Sequence, residues 1–213
     1  MPEQSVFRQC TRPECRFRYP ESGGYANNLN CPHCGSSTEI IPLPIIPPDL
    51  NPRQLSAQGP EVEALLDNIR SAFNVGSMFR TADGTGLRHM HLCGLTPPPT
   101  HPRVSKTALG AENTVPWSEH PNAVDRAYEL QSRGMRLWAL EVVAGSIPLP
   151  EIRQQLPGPP IILVVGSEVA GVDPAILEIC DQKIWIPMLG FKRTLNVAIA
   201  FGIAAYWLRF GGN

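Results

Sequence analysis

The sequence has no apolar run long enough to cross a membrane. The longest, Val197 to Leu208, stops short of the roughly 18 residues a span requires and is closed by Arg209, so a buried helix is expected there and no membrane partner. The opening residues lack the basic-then-apolar layout of an export leader, which predicts a cytoplasmic protein with reduced cysteines. Neither sign of charge is in excess: 18 Lys+Arg stand against 19 Asp+Glu, so any nucleic-acid-binding surface has to be a local one. The standard nucleotide fingerprints are missing too. In "GSEVAG", Gly166 to Gly171, the outer glycines of a phosphate loop are followed by Val172 and Asp173 where Lys and Ser/Thr are required; "DGTGLRHM" lacks a third glycine and precedes a strand. A chain of 213 residues buries a full core without covalent staples, so its six cysteines need another explanation.

Four of those six, Cys10, Cys15, Cys31 and Cys34, fall in the first forty residues as C-x4-C…C-x2-C. Each pair closes a tight turn that points two thiolates inward, and four soft sulfurs suit tetrahedral zinc; paired disulfides are the alternative, which a reducing compartment disfavours. Residues 1–40 are therefore expected to be a zinc ribbon whose metal supplies most of its folding free energy. His33 lies between two ligands and is expected to be exposed, because four cysteines already complete the coordination. Arg8, Arg12, Arg16 and Arg18, interleaved with Phe17 and Tyr19, are the mix that holds phosphates and stacks bases; Glu3, Glu14, Glu21 and Glu39 offset them, so RNA contact and a plain stabilising cap are both open for this segment. Residues 41–60 carry six prolines and read as a semi-rigid linker.

Residues 61–213 alternate short β-rich runs with helical segments: "EVEALLDNI" strand, "VGSMFRTADGTG" helix, "HMHLCGL" strand, "NAVDRAYELQSRG" helix, "MRLWALEVV" and "PIILVVGSE" strands, "DPAILEICD" helix, "QKIWIPM" strand, and a last helix from Thr194. This is an α/β domain with a mostly parallel sheet, in which ligands collect at the carboxyl ends of strands. Three polar loops stand at such places. One carries Asn68, Arg70, Asn74, Gly76 and Arg80; one is "VVGSEVAG" with Glu168; one is "IPMLGFKRTLNVAIA", Ile186 to Ala200. Each residue has a bland reading: Glu168 as a cap for the helix near Asp173, Asn74 as a lone cap before Val75, Arg80 as a solvated cation that could also reach back toward the site. Cys93 and Cys180 read as buried structural thiols, and His89, His91, His101 and His120 lack ligand spacing.

Taken together, "NVGSMFR", "GSEVAG" and "IPMLGFKRTLNVAIA" resemble the SpoU/TrmH class of knotted RNA 2'-O-ribose methyltransferases, whose motifs run N-x-G-x-x-x-R, G-x-E-x-x-G and I-P-x-x-G…S-L-N-V-x-x-A; Thr194 stands where that class has serine. The resemblance implies a C-terminal segment tucked as a trefoil knot, S-adenosylmethionine held by Leu140, Gly166, Ile186, Met188, Thr194 and Leu195, and catalytic positions at Arg80, Asn74, Glu168 and Asn196. It also implies a homodimer acting on tRNA or rRNA. Thr194 is expected to cap the last helix, and the small residues Ala198, Ala200, Gly202, Ala204 and Ala205 to let it pack closely in the knot or a dimer, unless they are simply core. Arg80 is the class's catalytic arginine; a guanidinium stays protonated, which favours a clamp on phosphate and growing charge over a general base. The alternative function is a nonenzymatic RNA-binding protein that uses the ribbon and an idle knot.

Overall fold

A computed structural model describes residues 6–21, 29–41, 59–152 and 158–211. The chain separates into two compact units, Met1–Leu55 and Ser56–Asn213. Most of the expected linker lies outside the described residues.

The first unit is a three-stranded antiparallel sheet of β1 (Val6–Cys10), β2 (Arg18–Glu21) and β3 (Thr38–Ile41), with β1 in the middle. The knuckle between β1 and β2 puts Arg16 at φ 47°, and Gly35, just past Cys34, takes φ 74°. Arg8 departs from the phosphate-facing expectation. It is buried, pairs with Glu21 and donates to Thr38 Oγ1 at 3.3 Å, so it ties the three strands together. Arg12, Arg16, Arg18 and Phe17 remain exposed, and Phe17 stacks on the exposed His33 ring.

The second unit is a seven-stranded sheet in the order β6-β5-β4-β9-β7-β10-β8, parallel at every pairing. Its strands are β4 (Val62–Asp67), β5 (Met90–Cys93), β6 (Trp117–His120), β7 (Arg136–Leu140), β8 (Ile147–Pro148), β9 (Ile161–Val165) and β10 (Gln182–Trp185). The central strands are apolar on both faces because both are covered. Val62, Ala64, Leu66, Ile161, Leu163 and Val165 face α1 (Ala72–Thr85), α2 (Pro102–Ala108) and α5 (Val197–Phe210); Leu65, Leu137, Ile162 and Val164 face α3 (Ala123–Ser132) and α4 (Pro174–Ile179). Strand β10, last in sequence, lies between β7 and β8, which is the arrangement a tucked C-terminal segment needs.

All five expected strands end two or three residues early, three of them for a plain local reason. Glu141 turns the chain out of β7 by accepting Val142 N–H at 3.0 Å and Val172 N–H at 3.2 Å. Gly166 ends β9, and β10 stops at Trp185, just short of Pro187, which has no N–H to give a ladder. Helix α1 begins at Ala72, three residues before Val75, because Ser71 caps it by accepting Asn74 N–H at 3.3 Å. Asn74 is therefore inside the first turn and is not the cap. Helix α2 and strands β6 and β8 were not anticipated. His101 caps α2 through its ring nitrogen, 3.2 Å from Arg103 N. Helices α1 and α2 pack so closely that a Cβ at Gly76 would lie 1.9 Å from Thr107 Oγ1 and 2.4 Å from the Val104 carbonyl, which accounts for the glycine.

One patch of the α3 layer is polar. His91 Nε2 faces Glu63 Oε2 at 2.8 Å, Ser118 Oγ lies 2.8 Å from both His89 Nε2 and His120 Nε2, and Arg126 closes the group 3.4 Å from His91 Nδ1. Burial first, then neighbouring positive charge, pushes His89 down to about 4, and His120 shifts the same way. A histidine kept neutral in the fold but titrating near 6.5 when unfolded gives stability that is complete above that value and is lost as pH falls toward 4. Thermal melts are expected to fall by several degrees between pH 6.5 and 4.5, and H89Q, which keeps a polar partner for Ser118, should flatten that slope. An unchanged slope in H89Q would assign the acid loss to other groups.

Candidate active site

The carboxyl ends of β7, β9 and β10 open into a cavity of about 690 Å³. All six residues expected to hold the cofactor, Leu140, Gly166, Ile186, Met188, Thr194 and Leu195, line it, as do Glu168 and Asn196. Between residues 166 and 172 the loop folds tightly on itself: Gly171 N–H donates to Ser167 O at 2.9 Å, and a Cβ on Gly166 would lie 2.1 Å from the Gly171 carbonyl carbon. Gly171 takes φ 75°, and a side chain there would also strike the Glu141 carboxylate at 2.6 Å. Gly166 is thus required by backbone approach, and Gly171 by its left-handed φ and the carboxylate beside it. Glu141 lines the cavity as well, marked in the sequence only as an acidic side chain directly after an apolar strand.

A hydrogen-bonded clasp joins the loops after β4, β9 and β10, the first of which adds no residue to the cavity lining. Glu168 Oε2 accepts Arg70 N–H at 3.0 Å, and its Oε1 accepts Ser71 N–H at 3.2 Å and Asn74 Nδ2 at 2.9 Å. Asn196 Nδ2 donates to Asn74 Oδ1 at 3.2 Å. Glu168 therefore caps the start of α1; Asp173 caps α4 with its own side chain, 2.8 Å from Ala175 N. Burial works against the charged form of Glu168, but the donors from Arg70, Asn74 and Ser71 outweigh it and hold the carboxyl below its ordinary value. The clasp fixes the loops with a charge that stays ionised at neutral pH.

Thr194 does not cap α5. Asn196 does, accepting Ala198 N–H at 2.9 Å and Ile199 N–H at 3.4 Å, because the helix begins only at Val197; Thr194 stays on the cavity wall. Of the small residues on α5, Ala204 and Ala205 are buried core, whereas Gly202 has room for a Cβ. Arg80 does not reach the cavity. Six residues beyond Asn74 it is about 9 Å further along α1 and turned about 240° around it, so the two side chains leave on different faces. It lines a second concavity of about 560 Å³ with Asp83, Leu109, Gly110 and Thr114. Among the described residues Arg80 has no hydrogen bond or ion pair, and no cysteine lines either concavity. Burial pushes the thiols of Cys93 and Cys180 up to about 12 and about 11; Cys180 sits half-buried at the end of α4, outside the helix expected to contain it.

In the first unit the four cysteine sulfurs lie within 4.8 Å of one another, Cys10 to Cys34 at 3.5 Å and Cys15 to Cys31 at 3.8 Å. Zn–S bonds of about 2.3 Å in a tetrahedron place sulfurs about 3.8 Å apart, so the cluster has the size of a zinc site. Burial raises Cys10 to about 12, while hydrogen bonds from Ser36 lower Cys34 to about 6.

The second unit has the fold of solved methyltransferases. The AdoMet-bound rRNA methyltransferase from Sinorhizobium meliloti matches with a TM-score of 0.65 at 28% identity, over 74% of this chain and 59% of that one. The TrmH/SpoU tRNA modifying enzyme of A. aeolicus matches with a TM-score of 0.62 at 29% identity, over 70% of this chain and 74% of that one. Residues 61–206 match the SpoU rRNA Methylase family, and the chain belongs to that family. Among curated relatives, the 23S rRNA (guanosine(2553)-2'-O)-methyltransferase RlmP of Bacillus subtilis is 34% identical over 147 residues, 68% of this chain and 56% of the relative. The tRNA (guanosine(18)-2'-O)-methyltransferase of Aquifex aeolicus is 31% identical over 146 residues, 66% of this chain and 64% of the relative. The chain thus spans less than two thirds of the length of these two relatives. No described helix is long and apolar enough to cross a membrane.

Proposed function

We propose that the protein transfers a methyl group from S-adenosylmethionine to a ribose 2'-hydroxyl of tRNA or rRNA, working in the cytoplasm as a homodimer with a structural zinc ribbon. The observation that carries this reading is the convergence of three loops, far apart in sequence, on one cavity, two of them tied to the start of α1 by the Glu168–Asn74–Asn196 clasp. Two glycines bring bare backbone to the cavity wall, and Leu140, Ile186, Met188 and Leu195 give it apolar sides suited to an adenosine. The cofactor supplies the electrophilic methyl group. The clasp keeps the loops in register, so that positioning, rather than acid–base chemistry inside the cavity, provides much of the rate. Arg80 binds the phosphate beside the target ribose and stabilises the negative charge growing on the 2'-oxygen, whose proton leaves to phosphate or water.

Two features support the dimer. Arg80 lies in a concavity that shares no lining residue with the cofactor cavity, so the reactive groups meet when a second copy brings its arginine over the first copy's cavity. Ile199, Ile203, Tyr206 and Phe210 leave an exposed apolar stripe along α5, of the kind a symmetric pair covers.

The purified chain, given labelled S-adenosylmethionine and unmodified tRNA and rRNA transcripts, is expected to release label in 2'-O-methylnucleosides. RNA binding with neither cofactor binding nor transfer would favour the nonenzymatic alternative. Once the target nucleotide is mapped, an RNA with a 2'-deoxy sugar there should bind almost normally, because phosphates and RNA shape supply most of the affinity, and accept no methyl group. Undiminished methylation of that RNA would put the methyl on a base.

A further inference from the structure

We propose that Asp83 reads the base of the nucleotide being modified and makes the site selective for guanine. The proposal rests on the RNA methyltransferase reading above and adds a residue and a base to it. Asp83 and Arg80, three residues apart on α1, share one face of the helix and the same concavity of about 560 Å³. A ribose whose neighbouring phosphate lies on Arg80 has its base within reach of that concavity.

The carboxylate is fixed and half free. Thr114 Oγ1 donates to Asp83 Oδ1 at 2.7 Å and itself lies 2.9 Å from the Ala111 carbonyl, so the carboxylate is held from the far side of the concavity. Among the described residues Oδ2 has no hydrogen-bond partner and no cation stands within ion-pair distance of it. The placement also runs against the local preference of the helix. Asp83 sits in the last turn of α1, at the negative end of the helix dipole, with no basic residue in that turn to offset it. A carboxylate that the helix disfavours, held by a hydroxyl and pointed at open space, is a local conflict of the kind functional sites keep.

The lip opposite points the same way. Leu109, the left-handed C-cap of α2 at φ 53°, holds an apolar side chain 70% exposed on the rim; Gly110 follows at φ 96°. The rim therefore offers an apolar surface for the plane of a base while Asp83 meets its edge. A carboxylate is an acceptor only. Guanine is the RNA base whose Watson–Crick edge presents two adjacent donors, N1–H and the 2-amino group, and these match the two carboxylate oxygens side by side. Adenine and cytosine place a ring acceptor beside their amino group, and uracil flanks its N3–H with two carbonyls, so each puts an acceptor against the carboxylate.

The test uses the full chain, labelled S-adenosylmethionine and a mixture of unmodified tRNA and rRNA transcripts, digested to nucleosides and resolved by mass spectrometry. Wild type is expected to label 2'-O-methylguanosine far above the other three nucleosides. D83N, which replaces one acceptor by a donor in the same volume, should lower the rate on guanosine about 10- to 100-fold, the discrimination of one bidentate pair, with unchanged cofactor affinity and melting temperature. T114V, which keeps the charge and frees its orientation, should lose less. A D83N enzyme that labels guanosine at the wild-type rate, or a wild type that labels mainly another nucleoside, would overturn the assignment while leaving the methyltransferase reading intact. A wild type that labels no nucleoside would overturn both, and is told apart by the absence of every labelled product.

Discussion

Arg80→Ala is expected to lower turnover about 10²- to 10³-fold while S-adenosylmethionine affinity stays within about a factor of two. The reasons are geometric: Arg80 lies in a concavity separate from the cofactor cavity, and its interaction strengthens only as charge grows on the 2'-oxygen. Arg80→Lys should rescue poorly, because an ammonium lacks the planar fork that takes two phosphate oxygens. Pairing two inactive variants tests the cross-subunit placement directly. Gly166→Val should destroy the cavity, since its Cβ would meet the Gly171 backbone at 2.1 Å. Each variant alone should keep no more than about a hundredth of wild-type activity, yet randomly reassorted dimers of the two should recover about a quarter of it, because half the dimers carry one intact composite site. Two variants that never complement, or an R80K enzyme of near-normal rate, would return Arg80 to the role of a solvated cation.

Removing zinc should unfold the N-terminal unit and spare the other. One zinc per chain is expected by elemental analysis, bound by Cys10, Cys15, Cys31 and Cys34. Structural zinc contributes apparent free energies of about 10–16 kcal/mol, as much as the whole stability of an ordinary domain and far more than three strands of four or five residues can hold by packing. A strong chelator, or Cys34→Ser, should therefore collapse the amide spectrum of the first unit while the cooperative melt of the Ser56–Asn213 unit stays put, because, among the described residues, both hydrophobic clusters are built from that second unit alone. Purified protein without zinc and with four freely titratable thiols would refute this, as would a C34S protein that keeps a folded first unit.

What could be read from the sequence divides along physical lines. The cavity loops after β9 and β10 were legible because a glycine or a proline stands just past the end of the strand, a signal carried by nearby residues; the loop after β7 opens on Glu141 and carries none. The clasp was not legible as geometry: Glu168 and Asn74 are 94 residues apart, so neither segment reveals that one completes the other's helix start. The cap of α5 was misplaced because Thr194 and Asn196 both have capping chemistry, and what chooses between them is the point at which the chain leaves the cavity wall. Helix α2 escaped notice because its seven residues bury only Val104 and Ala108, too few to print a period on the sequence; its support is the close approach of α1 at Gly76. His89, His91 and His120 have no ligand spacing in the sequence, yet the parallel pairing of β5 and β6 brings them to one patch, whereas His101 caps α2.

The interior position of β10 bears on the order of assembly. A strand made last but seated between β7 and β8 means that the sheet must keep a vacancy open until the end of the chain arrives, and every wall of the cavity from Ile186 onward arrives with it. Long-range pairing of this kind is slow, because chain entropy is lost before the contacts that reward it form. Refolding from denaturant should consequently show a late phase in which cofactor binding appears together with burial of Trp185. During synthesis, a ribosome that stalls before Trp185 would hold a sheet whose larger cavity still lacks one of its walls.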